Sequence, residues 1–321
     1  MDKLTLYKLA KLYYIDGLGH QEIANVTGFS RPQVSRMLKE ARNCHIVDIK
    51  INPPFGDAPE KLEADLAAAL GVHSISVVDT SDYAEKDKSS RLSAVSGFAA
   101  EYLAALIPSC RKVGVGWGHT IYSVVIATEH NYEPTETKFV PLVGNSGYSE
   151  PYYQTNSIVD RLAEKYKSKG EFINTPAFVS MDSVHKYLVE VNGLDRAGKI
   201  WEDIDLAFFS LGGIPESNPV ISEFPDKQAL PALKAYRAVG DFLGHFFKAS
   251  GEFITVSENI PHIAFPPDRL NDVPRRIRIA MGQEKTAAVR AAASMGIFTD
   301  LITDKYTAER ILEECAPKPE D

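Results

Sequence analysis

"GFSRPQVSRMLKEAR", residues 28–42, decides how the first part of this chain is organised. "TGFS" (27–30) supplies a turn, and Pro32 opens a helix where its missing N–H costs no hydrogen bond. Val34, Met37, Leu38 and Ala41 recur at helical spacing and form a stripe for burial. That leaves Gln33 and Arg36 on one exposed ridge, with Ser35, Lys39 and Arg42 on the next. Upstream, Leu6, Leu9, Ala10, Tyr13 and Tyr14 mark one face of a helix over 3–16, which Gly17 and Gly19 stop. A short helix over 20–27 follows, with Ile23, Ala24 and Val26 inward. Downstream, "HIVDIKI" (45–51) alternates as a strand does, with Val47, Ile49 and Ile51 on one face.

Two short helices joined by a tight, glycine-containing turn make a helix-turn-helix, here of winged type. Its second helix is the one that enters a DNA major groove. Gln33 suits adenine and Arg36 suits guanine through paired hydrogen bonds. Ser30, Arg31, Ser35 and Lys39 are types that hold phosphates, and Gln21 joins them as a candidate DNA contact. The alternative is a small amphipathic bundle whose charged face is simply solvated. Charge argues for DNA. Residues 1–51 hold eight Lys/Arg against five acids, net +3; the whole chain is −8, so the remainder carries −11. An asymmetry of that size separates two units with different partners.

At 321 residues, with 44% hydrophobic and 24% charged residues, the chain has the length and composition of a two-domain globular protein. It contains no uninterrupted apolar run of the roughly 18–20 residues that span a membrane, and its start lacks a signal-peptide cleavage pattern. Cys44, Cys110 and Cys315 are far apart, with no C-x-x-C pair, so they indicate neither a disulfide framework nor a zinc site. Idle thiols of a cytoplasmic protein fit them best. "NPPFGDAP" (52–59) reads as a linker. The expected organisation is a DNA-binding domain at 1–52, a linker at 53–59 and a second domain at 60–316.

Beyond the linker, helical and strand-like segments alternate from "EKLEADLAAAL" to "DKYTAERILEEC". Continuous apolar strands such as "DLAFFSLGG" and "KFVPLVG" predict a parallel or mostly parallel, Rossmann-like α/β sheet covered on both faces. Glycines gather where strands end, in "VGVGWGHT" (113–120), "LVGNSGYS" (142–149), "SLGGIP" (210–215) and "IAMGQEK" (279–285). Ligands of such sheets bind outside the strands' carboxyl ends, where glycine lets backbone N–H groups approach an anion. Any one of these loops is explained by a tight turn. Four together, with Lys285 after the last, point to one pocket for a small polyol or phosphate. Asp241, in "AVGDFLGHFF", is suited either to a sugar hydroxyl or to a helix N-terminus.

Several chemistries find no support. "GVGWG" departs from G-x-G-x-x-G and has no acidic residue on a second strand, so no nicotinamide cofactor is indicated. The eight histidines form no H-E-x-x-H pair, which leaves metal hydrolysis without ligands. There is no G-x-S-x-G elbow and no P-loop. The sequence suggests no catalytic residue, no metal and no cofactor.

"SRPQVSRMLKEA", "VGVGWG", "SLGGIP", "AVGDFLGHFF" and "IAMGQEKTAAVRAAASMGIFTDLITDKYTAERIL", in this order, resemble the SorC family of bacterial transcriptional regulators over nearly the whole chain. The resemblance implies an N-terminal helix-turn-helix and an effector domain related to the ribose-5-phosphate and glucosamine-6-phosphate isomerases. It implies a dimer or tetramer on operator DNA and a sugar or sugar phosphate as effector. By motif, the pocket would use Gly116, Trp117, Gly118, Thr120, Gly144, Asn145, Ser146, Gly212, Gly213, Asp241, Gly282, Gln283 and Lys285. Two positions depart from the family pattern: Asn145 and Met281 stand where glycines are common. Val143 excludes imine capture of an aldehyde at that position. A sugar-phosphate isomerase with an accessory N-terminal domain is the other reading of such a pocket.

Overall fold

In the computed structural model the chain divides into two units, Met1–Gly56 and Asp57–Asp321. The structure describes residues 2–44, 46–47, 60–84, 87–131, 133–145, 154–178, 198–218, 221, 229–254 and 263–315. Of the strand expected over 45–51 only Ile46 and Val47 are among these residues, and they form a bend packed against the N-terminal core; the linker at 53–59 lies outside them.

The N-terminal unit holds α1 (Lys3–Tyr14), α2 (His20–Thr27) and α3 (Arg31–Asn43). Its core is Leu6, Leu9 and Ala10 of α1, Ile23 and Ala24 of α2, and Val34, Met37, Leu38 and Ala41 of α3. The α3 stripe is buried as its spacing predicts. Two expected core positions are not: Val26 is 70% exposed, and Tyr14 also lies on the surface. α2 is only eight residues long, so Ile23 and Ala24 already fill its short contact with the other helices.

The large unit is built on a seven-stranded sheet in the order β1 (Ser74–Val78), β10 (Asp300–Asp304), β9 (Arg275–Ala280), β5 (Leu206–Phe209), β2 (Lys112–Val115), β3 (Lys138–Pro141), β4 (Lys169–Gly170). Every pairing in it is parallel. Alternation along the strands feeds two cores. Leu206 and Phe208 of β5, with Ile277 and Ile279 of β9, pack on the face covered by α5 (Lys88–Leu106), α6 (His119–Ala127) and α7 (Thr155–Lys165). Ala207, Phe209 and Ala280 face the other way, toward α4 (Glu60–Leu70), α9 (Thr286–Ser294) and α10 (Lys305–Cys315). α5 has the length and mean hydropathy of a membrane span. However, Arg91 and Glu101 interrupt it, and Val95, Ala99, Ala100 and Leu103 are buried in the core.

A second, three-stranded antiparallel sheet was not anticipated: β6 (Leu211–Gly212), β7 (Ala238–Phe242) and β8 (His245–Lys248), with α8 (Ala229–Ala235) leading into it. Its β7–β8 turn is Leu243–Gly244, at φ 51° and 90°. Two positive φ angles in a two-residue loop are the mark of the hairpin turn that matches strand twist.

The sheet order places a switch point at β2 and β5, which are neighbours. From β2 the chain goes through α6 to β3 on one side, while β5 has β9 on its other side. Such a divergence opens a crevice at the carboxyl ends of the two strands.

Candidate functional site

A cavity of about 460 Å³ lies at that crevice. Its wall is formed by Trp117–Thr120 after β2, Ser210–Gly213 after β5, Met281, Glu284 and Lys285 after β9, and Lys88, Ser89 and Leu92 from the first turns of α5. Ser217, Asn218 and Asp241 complete it. The volume suits a small metabolite.

The backbone makes the cavity possible. Gly118, at φ +102°, caps α6 and has no side chain to occupy the space before the helix N-terminus. Gly212 pairs with Asp241 across the β6–β7 ladder, so the unanticipated sheet carries the aspartate to the cavity. The Asp241 carboxylate accepts hydrogen bonds from Asn218 Nδ2 (2.5 Å) and from the Gly244 N–H (2.7 Å). Of the two roles expected for it, the helix cap is not taken: it closes the hairpin turn and lines the cavity. Burial raises its pKa, against the pull of the Gly244 N–H, the Asn218 amide and the charge of Lys285.

Lys285, partly buried, ends the short turn Gln283–Lys285 that leads into α9. Burial pushes its amine down to about 8, assisted by the Arg278 guanidinium; Glu284 and Asp241 pull the other way. Lys88 Nζ reaches Glu284 Oε1 at 3.3 Å, joining α5 to the turn after β9. The cavity thus combines a helix start, a lysine with a depressed pKa, a buried carboxylate and several hydroxyl or amide groups. Its remaining wall is apolar, from Leu92, Trp117, Leu211 and Met281.

Of the pocket residues expected from sequence, Trp117, Gly118, Thr120, Gly212, Gly213, Asp241 and Lys285 line this cavity. Gly116 sits just below it, where a Cβ would lie 2.8 Å from that of Phe209. Gly282, at φ +112°, shapes the turn and donates its N–H to Thr307 Oγ1 at 2.8 Å, while Gln283 is exposed beside it. Neither Gly282 nor Gln283 lines the cavity.

Gly144 and Asn145 are also absent from the cavity wall. A Cβ on Gly144 would come within 2.6 Å of the Thr175 carbonyl oxygen, so close packing accounts for that glycine. Asn145 exchanges backbone hydrogen bonds with Thr175 and Ala177, and its Oδ1 accepts from the Asn156 N–H. Ser146 lies outside the described residues. Sequence reasoning missed Lys88, Ser89 and Leu92, along with Ser217, Asn218 and Glu284, while Met281 stood out in it as a departure from the family pattern. The available signal was positional: α5 follows β1, so its start must lie at the sheet's carboxyl edge.

In the N-terminal unit, Arg31, Ser35, Arg36 and Lys39 are exposed along α3. Gly28, at φ +77°, ends α2, and Ser30 begins α3. Gln33 is also exposed, but its Oε1 accepts from both the N–H (2.8 Å) and the hydroxyl (2.9 Å) of Ser30. That is half of a capping box, which occupies the acceptor an adenine amine would need. Gln21 donates to Asn25 Oδ1 at 3.1 Å on the surface of α2.

Residues 57–313 match the family described as "Putative sugar-binding domain". The sorbitol operon regulator of Klebsiella pneumoniae is 24% identical over 97% of this chain and 98% of its own length. The chain belongs to the SorC family. The deoxyribonucleoside regulator of Bacillus subtilis is 26% identical, over 95% of this chain and 96% of the relative. The crystal structure of full-length SorC from Klebsiella pneumoniae superposes with a TM-score of 0.71, covering 97% of this chain and 99% of that one at 24% identity. A domain of a possible sugar-binding transcriptional regulator from Arthrobacter aurescens gives 0.69 at 25% identity, over 81% of this chain and 99% of that one. These relatives are named as regulators. Within the SorC frame the two departures separate: Met281 projects into the cavity wall, whereas Asn145 is engaged elsewhere.

Proposed function

We propose that this SorC-family regulator binds a phosphorylated sugar or polyol in the cavity of its large unit, and that occupancy sets the affinity of its N-terminal unit for operator DNA. The observation that carries the reading is the convergence on one cavity of the α6 start at Gly118, Lys285 and the buried Asp241. An uncapped helix start and a lysine favour a phosphate, while Asp241, Asn218, Ser210 and Ser217 suit sugar hydroxyls. A fold kinship with the sugar-phosphate isomerases accounts for a site of this kind in a protein that binds without turning over. Asp241 supports that view, because its carboxylate is engaged by Asn218 and Gly244.

α2 and α3 act as a helix-turn-helix, with Arg36 reading a base edge and Ser30, Arg31, Ser35 and Lys39 holding phosphates. Gln33 serves first to cap α3, and Gln21 lies on the supporting helix. The chain works in the cytoplasm as a homodimer or homotetramer, so that two α3 helices meet half-sites about 34 Å apart. Effector then changes operator affinity through a coupling of about 1–3 kcal/mol.

The test is a thermal-shift screen of the full chain against sugars, polyols and their phosphates. Stabilisation by a phosphorylated member, together with a changed operator affinity, is expected. Turnover of a pentose or hexose phosphate would instead establish an enzyme.

A further inference from the structure

Three arginines stand in the four residues Arg275–Arg278 of β9; two of them find partners for both Nη atoms or for a carboxylate, although the Arg276 Nε is left without one among the described residues. Arg275 binds Asp300 Oδ1 and the Tyr102 hydroxyl. Arg276 donates to the Val273 and Gly296 carbonyls. Arg278 is different. It is 0% exposed, and its Nε, Nη1 and Nη2 have no hydrogen-bond partner among the described residues. Its neighbour is the ring of Phe298, 5.4 Å from Cζ. Its register partners, Phe209 and Leu301, are apolar. Burying a guanidinium without hydrogen bonds or a counter-ion is among the costlier things a fold does, and such groups call for a functional account.

Position supplies one. Phe209, beside Arg278 on β5, immediately precedes the cavity residues Ser210–Gly213. Met281, three residues further along the chain, also lines the cavity, which puts Arg278 about 10 Å below the cavity floor at ~3.3 Å per residue. The cavity's own formal charges cancel: Lys88 and Lys285 against Asp241 and Glu284. One further cation behind the floor tips the balance.

We propose that Arg278 is a specificity-determining residue that acts through space: a buried charge behind the cavity that makes an otherwise balanced site select anions. The inference rests on the sugar-phosphate reading above and deepens it. Arg278 does not touch the ligand. Its field strengthens the binding of any phosphate held at Lys285 and the α6 start, and it favours charged over neutral sugars. Lys285 lies within reach of that charge: burial lowers its amine first, and the Arg278 guanidinium acts in the same direction.

Full-length wild type, Arg278→Met and Arg278→Lys are compared by thermal shift and calorimetric titration with inorganic phosphate, at ionic strength matched with chloride. A unit charge ~10 Å away at an effective dielectric of ~20 changes anion affinity roughly tenfold. Arg278→Met is expected to bind phosphate roughly tenfold more weakly while its Tm stays level or rises, since an unpaired buried charge is replaced by an apolar side chain. Arg278→Lys, whose buried amine gives up its proton more readily than a guanidinium, is expected to keep more of the affinity than Arg278→Met at low pH and to lose it as pH rises. A lower Tm with unchanged phosphate affinity in Arg278→Met would make Arg278 a packing residue and overturn the proposal. Equal loss of affinity in both variants, with no pH dependence of that loss in Arg278→Lys, would overturn it too, since shape and not charge would then matter. If Arg278→Met does not fold, unchanged affinity ratios for a sugar phosphate and its neutral parent across a salt titration of wild type and Arg278→Lys would do the same. A wild type that ignores phosphate would sink the anion reading as well; a wild-type response that survives in Arg278→Met would sink this inference alone.

Discussion

Gly212 stands opposite Asp241 in the β6–β7 ladder, so close that a methyl group on it would overlap the Asp241 carboxylate and the Asn218 amide. Gly212→Ala must therefore displace the turn that holds Asp241. We expect a loss of about 1–3 kcal/mol of stability, the usual range for overpacking, with loss of the ligand-induced thermal shift. Urea denaturation checks the first and thermal shift the second; wild-type values in both would refute the tight packing at 212.

Lys285 makes effector binding depend on pH. Its folded-state pKa is lowered from 10.5 to about 8, by burial first and then by Arg278 and Lys88, against Glu284 and Asp241. The folded protein thus binds fewer protons than the unfolded chain between about 8 and 10.5. Its contribution to stability accordingly rises with pH across that window, as the buried charge is relieved. Anion affinity moves the opposite way and falls as pH climbs through about 8. Calorimetric titration with phosphate from pH 8 to 9.5, where the ligand stays doubly charged, should show this decline in wild type and a weaker, shallower one in Lys285→Met.

Arg36 and Gln33 should separate cleanly at the operator. Arg36→Ala is expected to cost about 1–3 kcal/mol on the cognate site and much less on unrelated DNA. Gln33→Ala removes the acceptor for Ser30 and should weaken binding to all sequences alike, through roughly 0.5–2 kcal/mol of lost helix capping. Fluorescence anisotropy on matched and scrambled duplexes distinguishes the two. A sequence-specific loss in Gln33→Ala would return that residue to base readout.

Glu284→Gln tests the ion pair with Lys88, whose partners are 65% and 41% exposed. A pair this exposed contributes at most about 1 kcal/mol. Stability should therefore change little, whereas phosphate affinity should rise several-fold as a negative charge leaves the cavity and Lys88 is released. Weaker phosphate binding in Glu284→Gln would show that the pair shapes the site more than its charge opposes the ligand.

Much of the architecture was legible because the central strands β2, β3 and β5 are buried along most of their length and read as apolar runs. Phe208 and Phe209 leave no ambiguity about β5. The glycine-rich strand ends were equally visible and led directly to Trp117, Gly118, Gly212 and Lys285. The β6–β7–β8 sheet was hidden for a local reason. β6 is two residues long, and the β7–β8 turn puts Leu243 at positive φ, where the usual Asn-Gly or Asp-Gly signal is missing. Lys88, Ser89 and Leu92 escaped because nothing within their helix records what the distant β9 loop brings against it. Gly144 misled in the opposite direction: a glycine required by the Thr175 carbonyl looks, in sequence, like one required by a ligand. Ser30-x-x-Gln33 carried its capping signature openly, but a glutamine on a basic helix is just as readily assigned to a base.

The chain has two tryptophans, and they occupy contrasting environments. Both are buried, but Trp117 lines the cavity, whereas Trp201 lies away from it with its indole N–H held by the Pro141 carbonyl at 2.8 Å. Emission from Trp117 therefore reports occupancy directly, with Trp201 as a constant internal standard, so the protein carries its own optical sensor and needs no attached dye.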